Sequence, residues 1–581
     1  MLALLQCNLA HDMEDKIVVL LFILSGFSVV YPQSVTYRDV KINQGVVRGY
    51  KQPGENIFTF QSIPYAAAPT GRDFYKAPLP APTWNGTFEA TDKKIACYQD
   101  RIGILPKDTK IEEQCLIANI YIPDNITEKL PVLVLVHGGA FLIGYGNNLQ
   151  TKNLVNTGKV IAVTFNYRLG PHGFLCLGTE TAPGNAGVKD QVALLRWVRD
   201  NIEQFGGNPN DVTIAGCSAG SSSIDLLLIS KMAKGLFHKV IAGSGANTNA
   251  FSVQTEPLEN AKQFAQLLGF NNTNDVKALE NFYLDTPFET LLSYTSYLHE
   301  RLDSVVLFSP CIEKDIGQEV FLHDSPVKIL ESKDYVQVPM LYGFCNMEGL
   351  FRLHSFDNWK TLMNENFIDF LPPDLGNSLT ERESLAKEIK RFYFGDEQVS
   401  ENNILRYIDF FTDIMFGYAM LRSAKLQVEA GNNQLYLYEY SFADESVDLI
   451  PNTNVRGATH CDQEAAVMDM PNENELSPEY QNMKKVMRDL WLNFVTTGLP
   501  VPHGSNYPAW PPMSLQRSYM SLNSTLEYKE SLMPERAKFW DDLVKEHYKF
   551  PSPPNPTNFG VRFQSTIYIL NAALLFILIS Y

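Results

Sequence analysis

Residues 212–220 have the sequence VTIAGCSAG, in which a short apolar run leads directly into Gly-Cys-Ser-Ala-Gly. This pentapeptide after a strand is typical of a nucleophile elbow, a turn from strand to helix so sharp that the central serine projects into a cleft. The flanking residues, Gly216 and Gly220, carry no side chains that would collide in such a turn. The pattern therefore predicts Ser218 as a nucleophile at the carboxyl end of a strand.

The elbow lies within a predicted series of strands and helices. Apolar runs predict strands at Val132–Val136, Val160–Phe165, Val212–Ala215, Val338–Leu341 and Leu435–Tyr440. The first four lack polar alternation, as buried parallel strands do. Between the second and third, apolar residues at spacings of three and four indicate one face of a helix: Val188, Val192, Leu195, Val198 and Ile202. Strand, helix and strand in this order predict an open parallel sheet, so the expected fold class is α/β.

A second glycine-rich turn, His137-Gly138-Gly139-Ala140, follows the first predicted strand. A serine nucleophile needs a base, a group that orients the base, and donors for the oxyanion that develops during acyl transfer. Backbone N–H groups of Gly138 and Gly139, with that of Ala219 after the serine, form the predicted oxyanion hole. An ordinary tight turn is the alternative, and the preceding strand argues against it.

Further sequence blocks occur in a fixed order. They are Ser62-Ile63-Pro64-Tyr65-Ala66, Cys115-Leu116, His137-Gly138-Gly139-Ala140-Phe141, Asn166-Tyr167-Arg168-Leu169-Gly170-Pro171, Gly184-Asn185-Ala186-Gly187 with Asp190-Gln191, Trp197-Val198, Asn201-Ile202 and Phe205-Gly206-Gly207-Asn208-Pro209. With these blocks the chain resembles the type-B carboxylesterase and cholinesterase family, from Val46 to Leu543. The resemblance implies an α/β-hydrolase fold: one large domain, whose central, mostly parallel sheet is flanked by helices.

The resemblance also implies the catalytic roles. Ser218 is expected to be the nucleophile, Glu348 in Asn346-Met347-Glu348-Gly349 the acid, and His460 in Gly457-Ala458-Thr459-His460 the base. The base takes the serine proton and later returns it to the leaving alcohol, while the acid holds the imidazole tautomer. Ser223 is expected to support the acid and base by hydrogen bonding. No metal ion or cofactor is expected.

Two departures separate the chain from cholinesterases. That branch has a glutamate before the serine and a choline-binding tryptophan in the first disulfide loop, whereas here residue 217 is cysteine and residues 97–115 contain no tryptophan. The expected function is therefore that of a non-cholinesterase carboxylesterase, whose substrate is a small carboxylic ester. The alternatives are a cholinesterase-like esterase and a cell-surface adhesion protein on the same fold, as in neuroligin-like and glutactin-like relatives that have lost the triad.

The two ends of the chain predict a secretory protein. Residues 1–31 are predicted to be a signal peptide, with translation from Met1 or Met13, and residues 32–550 to be the enzyme domain. Residues 551–566 form a predicted proline-rich stalk, and the apolar tail 567–581 is a glycolipid-anchor signal or a short tail anchor. We therefore expect an extracellular or cell-surface protein, attached to a membrane at its C-terminus. Four sequons agree with this route, at Asn85, Asn125, Asn271 and Asn523.

The chain has eight cysteines, and removal of a leader that contains Cys7 leaves an odd number, seven. Cys97 and Cys115 are the best candidate for a disulfide, because they close a short loop in an oxidising compartment. The pairing of five others stays open: Cys176, Cys217, Cys311, Cys345 and Cys461. Cys217 and Cys461 adjoin two triad residues and are interpreted as buried, inert thiols, with a redox-sensitive pair as the alternative.

The overall charge narrows the class of partner. The formal net charge is −17, and no run of lysine and arginine is present. Binding to nucleic acid requires clustered basic residues, so a nucleic-acid partner is excluded. The sequence leaves the oligomeric state open, a homo-oligomer included.

Overall fold

The computed structural model describes residues 34–101, 105–293 and 301–555. The predicted signal peptide and C-terminal tail lie outside the described residues. The strands β1–β15 are Thr36–Ile42, Gly45–Lys51, Ile57–Pro64, Thr87–Glu89, Ile95–Ala96, Lys110–Ile111, Ile117–Pro123, Leu130–Val136, Ile161–Phe165, Gly207–Cys217, Lys239–Gly243, Met340–Cys345, Leu435–Tyr440, Tyr519–Leu522 and Leu526–Lys529.

The α-helices of the described residues are Lys152–Val155, Gly170–Phe174, Ala186–Asn201, Ala219–Ile229, Pro257–Leu267, Val276–Asp285, Phe288–Ser293, Pro326–Ser332, Phe356–Glu365, Leu379–Phe394, Ile404–Thr412, Tyr418–Ala430, Asp462–Ala465, Pro478–Thr497 and Pro534–His547. Two irregular helical turns also matter below, a 3-10 helix at Glu348–Ser355 and a π-helix at Asp413–Gly417. Among the described residues no helix combines the length and apolar character needed to cross a membrane.

One large sheet has the strand order β1-β2-β3-β7-β9-β8-β10-β11-β12-β13-β14-β15. Its centre, from β9 to β14, is parallel, whereas both edges are antiparallel. The predicted α/β class and central parallel sheet are confirmed. The strand predicted at Val338–Leu341 is displaced: β12 is Met340–Cys345, so it ends closer to Glu348.

Both faces of the central sheet are buried, which explains the continuous apolar runs. In β8, Val132, Val134 and Val136 pack in one core cluster, while Leu133 and Leu135 pack in a second. Alternate residues of a strand point to opposite faces, so the two clusters lie on the two sides of the sheet. A strand that must fill two cores has no place for polar alternation.

The predicted stalk begins on the domain itself. Within its described part, residues 551–555, Pro551 and Pro554 are buried, and Ser552 N donates a hydrogen bond to Thr255 O at 3.2 Å. Residues 551–554 therefore pack against the domain. Residues 556–566 of the predicted stalk lie outside the described part of the chain.

Candidate active site

Ser218 lies in a strained turn between β10, which ends at Cys217, and the helix Ala219–Ile229. Its φ is 59° and its ψ is −128°, a conformation that non-glycine residues rarely adopt. Ser218 N donates to Gly243 O at the end of β11, at 2.9 Å, which holds the turn against the sheet. Ser218 is partly exposed although residues 212–217 and 219–229 are buried, so its side chain projects from an otherwise closed core.

Two glycines are required by the close approach of β8 to the elbow. A Cβ at Gly220 would lie 2.1 Å from Val136 O, and one at Gly216 would lie 2.6 Å from the same oxygen. Both distances are far below van der Waals contact, so any side chain would push the elbow away from the strand. The sequence argument for glycine at both positions therefore has a direct structural cause.

The turn after β8, residues 137–144, passes directly beside the serine. A Cβ at Gly138 would lie 3.2 Å from Ser218 Cβ and 2.8 Å from Cys217 O. Gly139 has a φ of +106°, which also requires glycine. Among the described residues, the N–H groups of Gly138, Gly139 and Ala219 donate to no protein acceptor. Gly138 and Ala219, two of the three predicted oxyanion donors, therefore lie beside the serine, and Gly139 follows Gly138 in the same turn.

His137 stabilises this turn through its contacts with Gly138 and Tyr167. Its Nδ1 donates to Gly138 O at 2.8 Å, its ring stacks on Tyr167 at 4.3 Å, and Tyr167 OH donates to His137 O at 2.9 Å. Burial lowers the pKa of His137 to about 4, so the ring is neutral at physiological pH. His137 is therefore a structural support for the turn.

Glu348 lies just after β12 and is completely buried. Cys345 N donates to Glu348 Oε1 at 2.8 Å, and Ser244 Oγ donates to the same oxygen at 2.5 Å. Glu348 Oε2 accepts from His460 Nδ1 at 2.6 Å. Both carboxylate oxygens are thus engaged, and the acid is fixed as an acceptor for the imidazole.

His460 lies near the end of the irregular segment 441–461, here called the histidine loop, which connects β13 to the helix Asp462–Ala465. Its ring stacks on Phe416 of the π-helical turn at 4.0 Å and meets the edge of Phe351 at 5.3 Å. The His460 side chain is 10% exposed, while Phe351 is 43% exposed. An aromatic ring thus borders the histidine at the surface of the site.

Two hydrogen bonds connect the histidine loop to the segment that carries the acid. Ala458 N donates to Asn346 Oδ1 at 3.0 Å, and Met347 N donates to Ala458 O at 3.2 Å. Asp462, the first residue after the histidine loop, accepts from Thr459 N at 2.7 Å. Burial raises the pKa of Asp462 to about 6, and the nearby Glu348 carboxylate adds to the rise. The surroundings of His460 therefore include one buried carboxyl group, that of Glu348, and one partly buried carboxyl group, that of Asp462.

A disulfide joins the elbow to the histidine loop, between Cys217 and Cys461, whose Cα atoms are 6.0 Å apart. The interpretation of these cysteines as inert thiols is wrong. The cause is the sheet order, which brings the ends of β10 and β13 to one edge, so the residue before Ser218 meets the residue after His460. No hydrogen bond within the described residues joins the Ser218 side chain directly to His460.

The supporting hydroxyl belongs to Ser244 rather than Ser223. Ser223 lies on the helix after the elbow, where its Oγ accepts from Gln191 Nε2 at 3.0 Å. Ser244 directly follows β11 at the same sheet edge as the other site residues, and it both donates to Glu348 and accepts from Gln463 Nε2 at 2.7 Å. A polar residue directly after the strand Lys239–Gly243 was the available signal in the sequence.

The remaining predicted sites are distributed around the domain. Disulfides join Cys97 to Cys115, the pair singled out from the sequence, and Cys176 to Cys311, whereas Cys345 is a buried free thiol. The four sequon residues Asn85, Asn125, Asn271 and Asn523 are all exposed. Attachment of a glycan at any of them would therefore require no rearrangement of the core.

Sequence comparisons match the chain to carboxylesterases over most of its length. The model of the carboxylesterase family matches residues 36–540. The chain is 31% identical to juvenile hormone esterase of Heliothis virescens, covering 90% of this chain and 95% of the relative. It is 32% identical to Esterase FE4 of Myzus persicae, over 82% and 86% of the two chains. It is 32% identical to Carboxylesterase 1C of Rattus norvegicus, over 86% and 91%.

A solved structure gives the same result for the fold. The crystal structure of juvenile hormone esterase from Manduca sexta, with OTFP covalently attached, superposes with a TM-score of 0.77. The two sequences are 26% identical, and the match covers 88% of this chain and all of the other. A second structure, PNB esterase, has a TM-score of 0.69 at 28% identity.

Proposed function

Because the chain belongs to the carboxylesterase family, we propose that it hydrolyses carboxylic esters through an acyl-enzyme on Ser218, with His460 as base and Glu348 as acid. The chain is a carboxylic ester hydrolase. The observation that carries the assignment of the residues is the hydrogen bond between Glu348 Oε2 and His460 Nδ1, at 2.6 Å, beside a serine in an elbow conformation.

The proposed reaction has two halves. His460 takes the proton of Ser218 as its Oγ attacks the ester carbonyl carbon, and the oxyanion accepts hydrogen bonds from the N–H groups of Gly138, Gly139 and Ala219. His460 then returns the proton to the leaving alcohol oxygen. In the second half, His460 activates water, which hydrolyses the acyl-enzyme. Glu348 stabilises the imidazolium in both halves.

The substrate class that we propose is a neutral ester with apolar substituents. Phe351 and Phe416 border His460, and large aromatic rings of this kind favour apolar substrate groups. The relatives named juvenile hormone esterase make juvenile hormone a reasonable member of a substrate panel. The adhesion alternative loses support, because Ser218, Glu348 and His460 are all present and the last two are in contact.

The experiment compares the unaltered protein with Ser218→Ala and with the control Ser223→Ala. Ser223 lies on the helix that begins directly after Ser218, and among the described residues it forms no hydrogen bond with His460 or Glu348. Hydrolysis of p-nitrophenyl acetate, butyrate and octanoate and of juvenile hormone is measured for each purified ectodomain. We expect Ser218→Ala to lose at least about 10³-fold in kcat, and a fluorophosphonate to label Ser218 in the other two proteins. Hydrolysis by the unaltered protein that does not exceed that of Ser218→Ala would contradict the proposal.

We further propose that the protein passes through the secretory pathway. Three disulfides support this, because disulfides persist in oxidising compartments. Four exposed sequons also support it, because glycans are attached to such sites in secreted proteins. Attachment to a membrane through residues 567–581, by a glycolipid or a tail anchor, rests on the sequence alone. Release from cell membranes by a phosphatidylinositol-specific phospholipase C indicates the lipid anchor, and retention indicates the tail anchor.

A further inference from the structure

Each of the three proposed triad residues has a cysteine within three positions along the chain. Cys217 precedes Ser218, Cys461 follows His460, and Cys345 precedes Glu348 by three residues. The first two form a disulfide that closes a sequence separation of 244 residues. The covalent link between the nucleophile segment and the base segment is thus one residue away from each reacting side chain.

The histidine loop is attached differently on its two sides. Its hydrogen bonds through Ala458 go to the segment that carries Glu348, and so does the bond from His460 itself. Toward the elbow, the covalent connection is the disulfide, supplemented by Gln463 Nε2, which donates to Cys217 Sγ at 3.5 Å and to Ser244 Oγ at 2.7 Å. Hydrogen bonds from Cys345 N and Ser244 Oγ therefore hold Glu348 in place, whereas the disulfide is the covalent link that holds the histidine loop beside Ser218.

We propose that the Cys217–Cys461 disulfide is a positioning element that sets the distance between the Ser218 hydroxyl and the His460 ring. The inference rests on the proposed roles of these two residues. Proton transfer from serine to histidine requires a separation of a hydrogen bond, and a displacement of about 1 Å can lower a rate by about 10²-fold. Without the bridge, no covalent link holds the irregular histidine loop to the elbow, whereas Glu348 stays fixed by Cys345 N and Ser244 Oγ.

The third cysteine lies close to the bridge but is held out of reaction with it. The Cys345 thiol donates to Gln463 Oε1 at 2.7 Å, and the Nε2 of the same amide contacts Cys217 Sγ. Burial, together with the Glu348 carboxylate, raises the pKa of the Cys345 thiol well above its usual range. Since the thiolate is the attacking species in disulfide exchange, Cys345 leaves the pairing of Cys217 with Cys461 intact.

Reduction of the bridge is the corresponding chemical perturbation. A dithiol such as dithiothreitol transfers two electrons and two protons to the disulfide, which becomes two thiols, while the dithiol closes to a cyclic disulfide. Cys461 is partly exposed and Cys217 is buried, so attack is expected at the Cys461 sulfur. The mixed disulfide then resolves within the reductant and frees both cysteines.

The test compares two double variants, Cys217→Ala/Cys461→Ala and Cys176→Ala/Cys311→Ala. The bridges span 244 and 135 residues, so their removal is expected to lower the melting temperature by similar amounts. We expect the first variant to lose about 10- to 100-fold in kcat with little change in KM, and to be labelled more slowly by a fluorophosphonate. The second variant is expected to keep kcat within about twofold, since removing its bridge alters stability alone.

Reduction of the folded, unaltered enzyme covers the case in which the first variant does not fold. We expect dithiothreitol to lower the kcat of the unaltered enzyme. We expect it to lower the kcat of Cys176→Ala/Cys311→Ala by the same factor, because that variant retains the Cys217–Cys461 bridge. Equal kcat in the oxidised and the reduced enzyme, or in both double variants, overturns the positioning role. Failure of the proposed function gives a different result from failure of the positioning role. In that case Ser218→Ala retains activity, and no fluorophosphonate label appears on Ser218.

Discussion

Replacement of Glu348 by glutamine is the most direct test of the proposed triad. The side chain keeps its shape but loses its negative charge, so the developing imidazolium of His460 loses its partner. The contacting atoms are 2.6 Å apart, and the charge centres, which lie behind these atoms, are taken as about 4 Å apart. At an effective dielectric constant of about 20, the lost Coulomb energy is about 4 kcal/mol. This corresponds to a fall in kcat of about 10³-fold.

The assay is steady-state hydrolysis of p-nitrophenyl acetate across pH 5 to 9, with kcat and KM reported separately. Glu464→Gln is the matched control: Glu464 is also a buried carboxyl, its pKa is raised to about 7 by burial, and its Oε1 has no hydrogen-bond partner in the described part of the chain. We expect kcat of this control to stay within about threefold, since no lost charge faces the imidazole. A Glu348→Gln enzyme that retains more than about a tenth of the original kcat would refute the electrostatic reasoning.

Two further predictions concern Ser244 and His172. Ser244→Ala removes a hydrogen bond to the buried Glu348 carboxylate and is expected to lower kcat about tenfold. Ser223→Ala, which removes a hydrogen bond from Gln191, is expected to leave kcat within about twofold. Equal effects of the two substitutions would contradict the supporting role of Ser244. Burial lowers the pKa of His172 to about 3 from its usual 6.5, so the stability contributed by the neutral ring is present above pH 6.5 and lost as the pH falls. Urea denaturation of the unaltered protein and of His172→Phe measures this effect. Between pH 7.5 and 4.5 the free energy of unfolding should fall by about 3 kcal/mol more in the unaltered protein. Parallel pH dependences of the two proteins would argue against the assignment.

The sequence carried enough information to predict the sheet and the elbow. The run from Val212 to Ala215 is apolar because β10 contacts cores on both faces, and Gly216 and Gly220 are required by the approach of Val136 O. Such local causes leave local patterns in the sequence. For this reason nine consecutive residues suggest Ser218 as the nucleophile, and the further sequence blocks strengthen that prediction.

The cysteine pairing and the supporting hydroxyl have causes that are not local. Cys217, at the end of β10, meets Cys461 of the histidine loop because both segments reach one edge of the sheet, although they are 244 residues apart and neither neighbouring sequence indicates the other. Ser244 follows a five-residue strand with no motif around it, so it acquires its role from the position of β11 beside β10 and β12. Ser223 was favoured by resemblance, but the helix turns its hydroxyl toward Gln191.

The distribution of the site over β10, β12 and β13 has a consequence for biosynthesis. Contacts between residues far apart in sequence form slowly, because the entropy of closing long loops must be overcome first. Residues 218, 348 and 460 meet only after nearly four-fifths of the 581-residue chain has left the ribosome and the parallel strands have paired in order. A chain in which these strands have not yet paired is therefore an inactive precursor of the hydrolase, and the recovery of ester hydrolysis during refolding reports the pairing of β10, β11, β12 and β13.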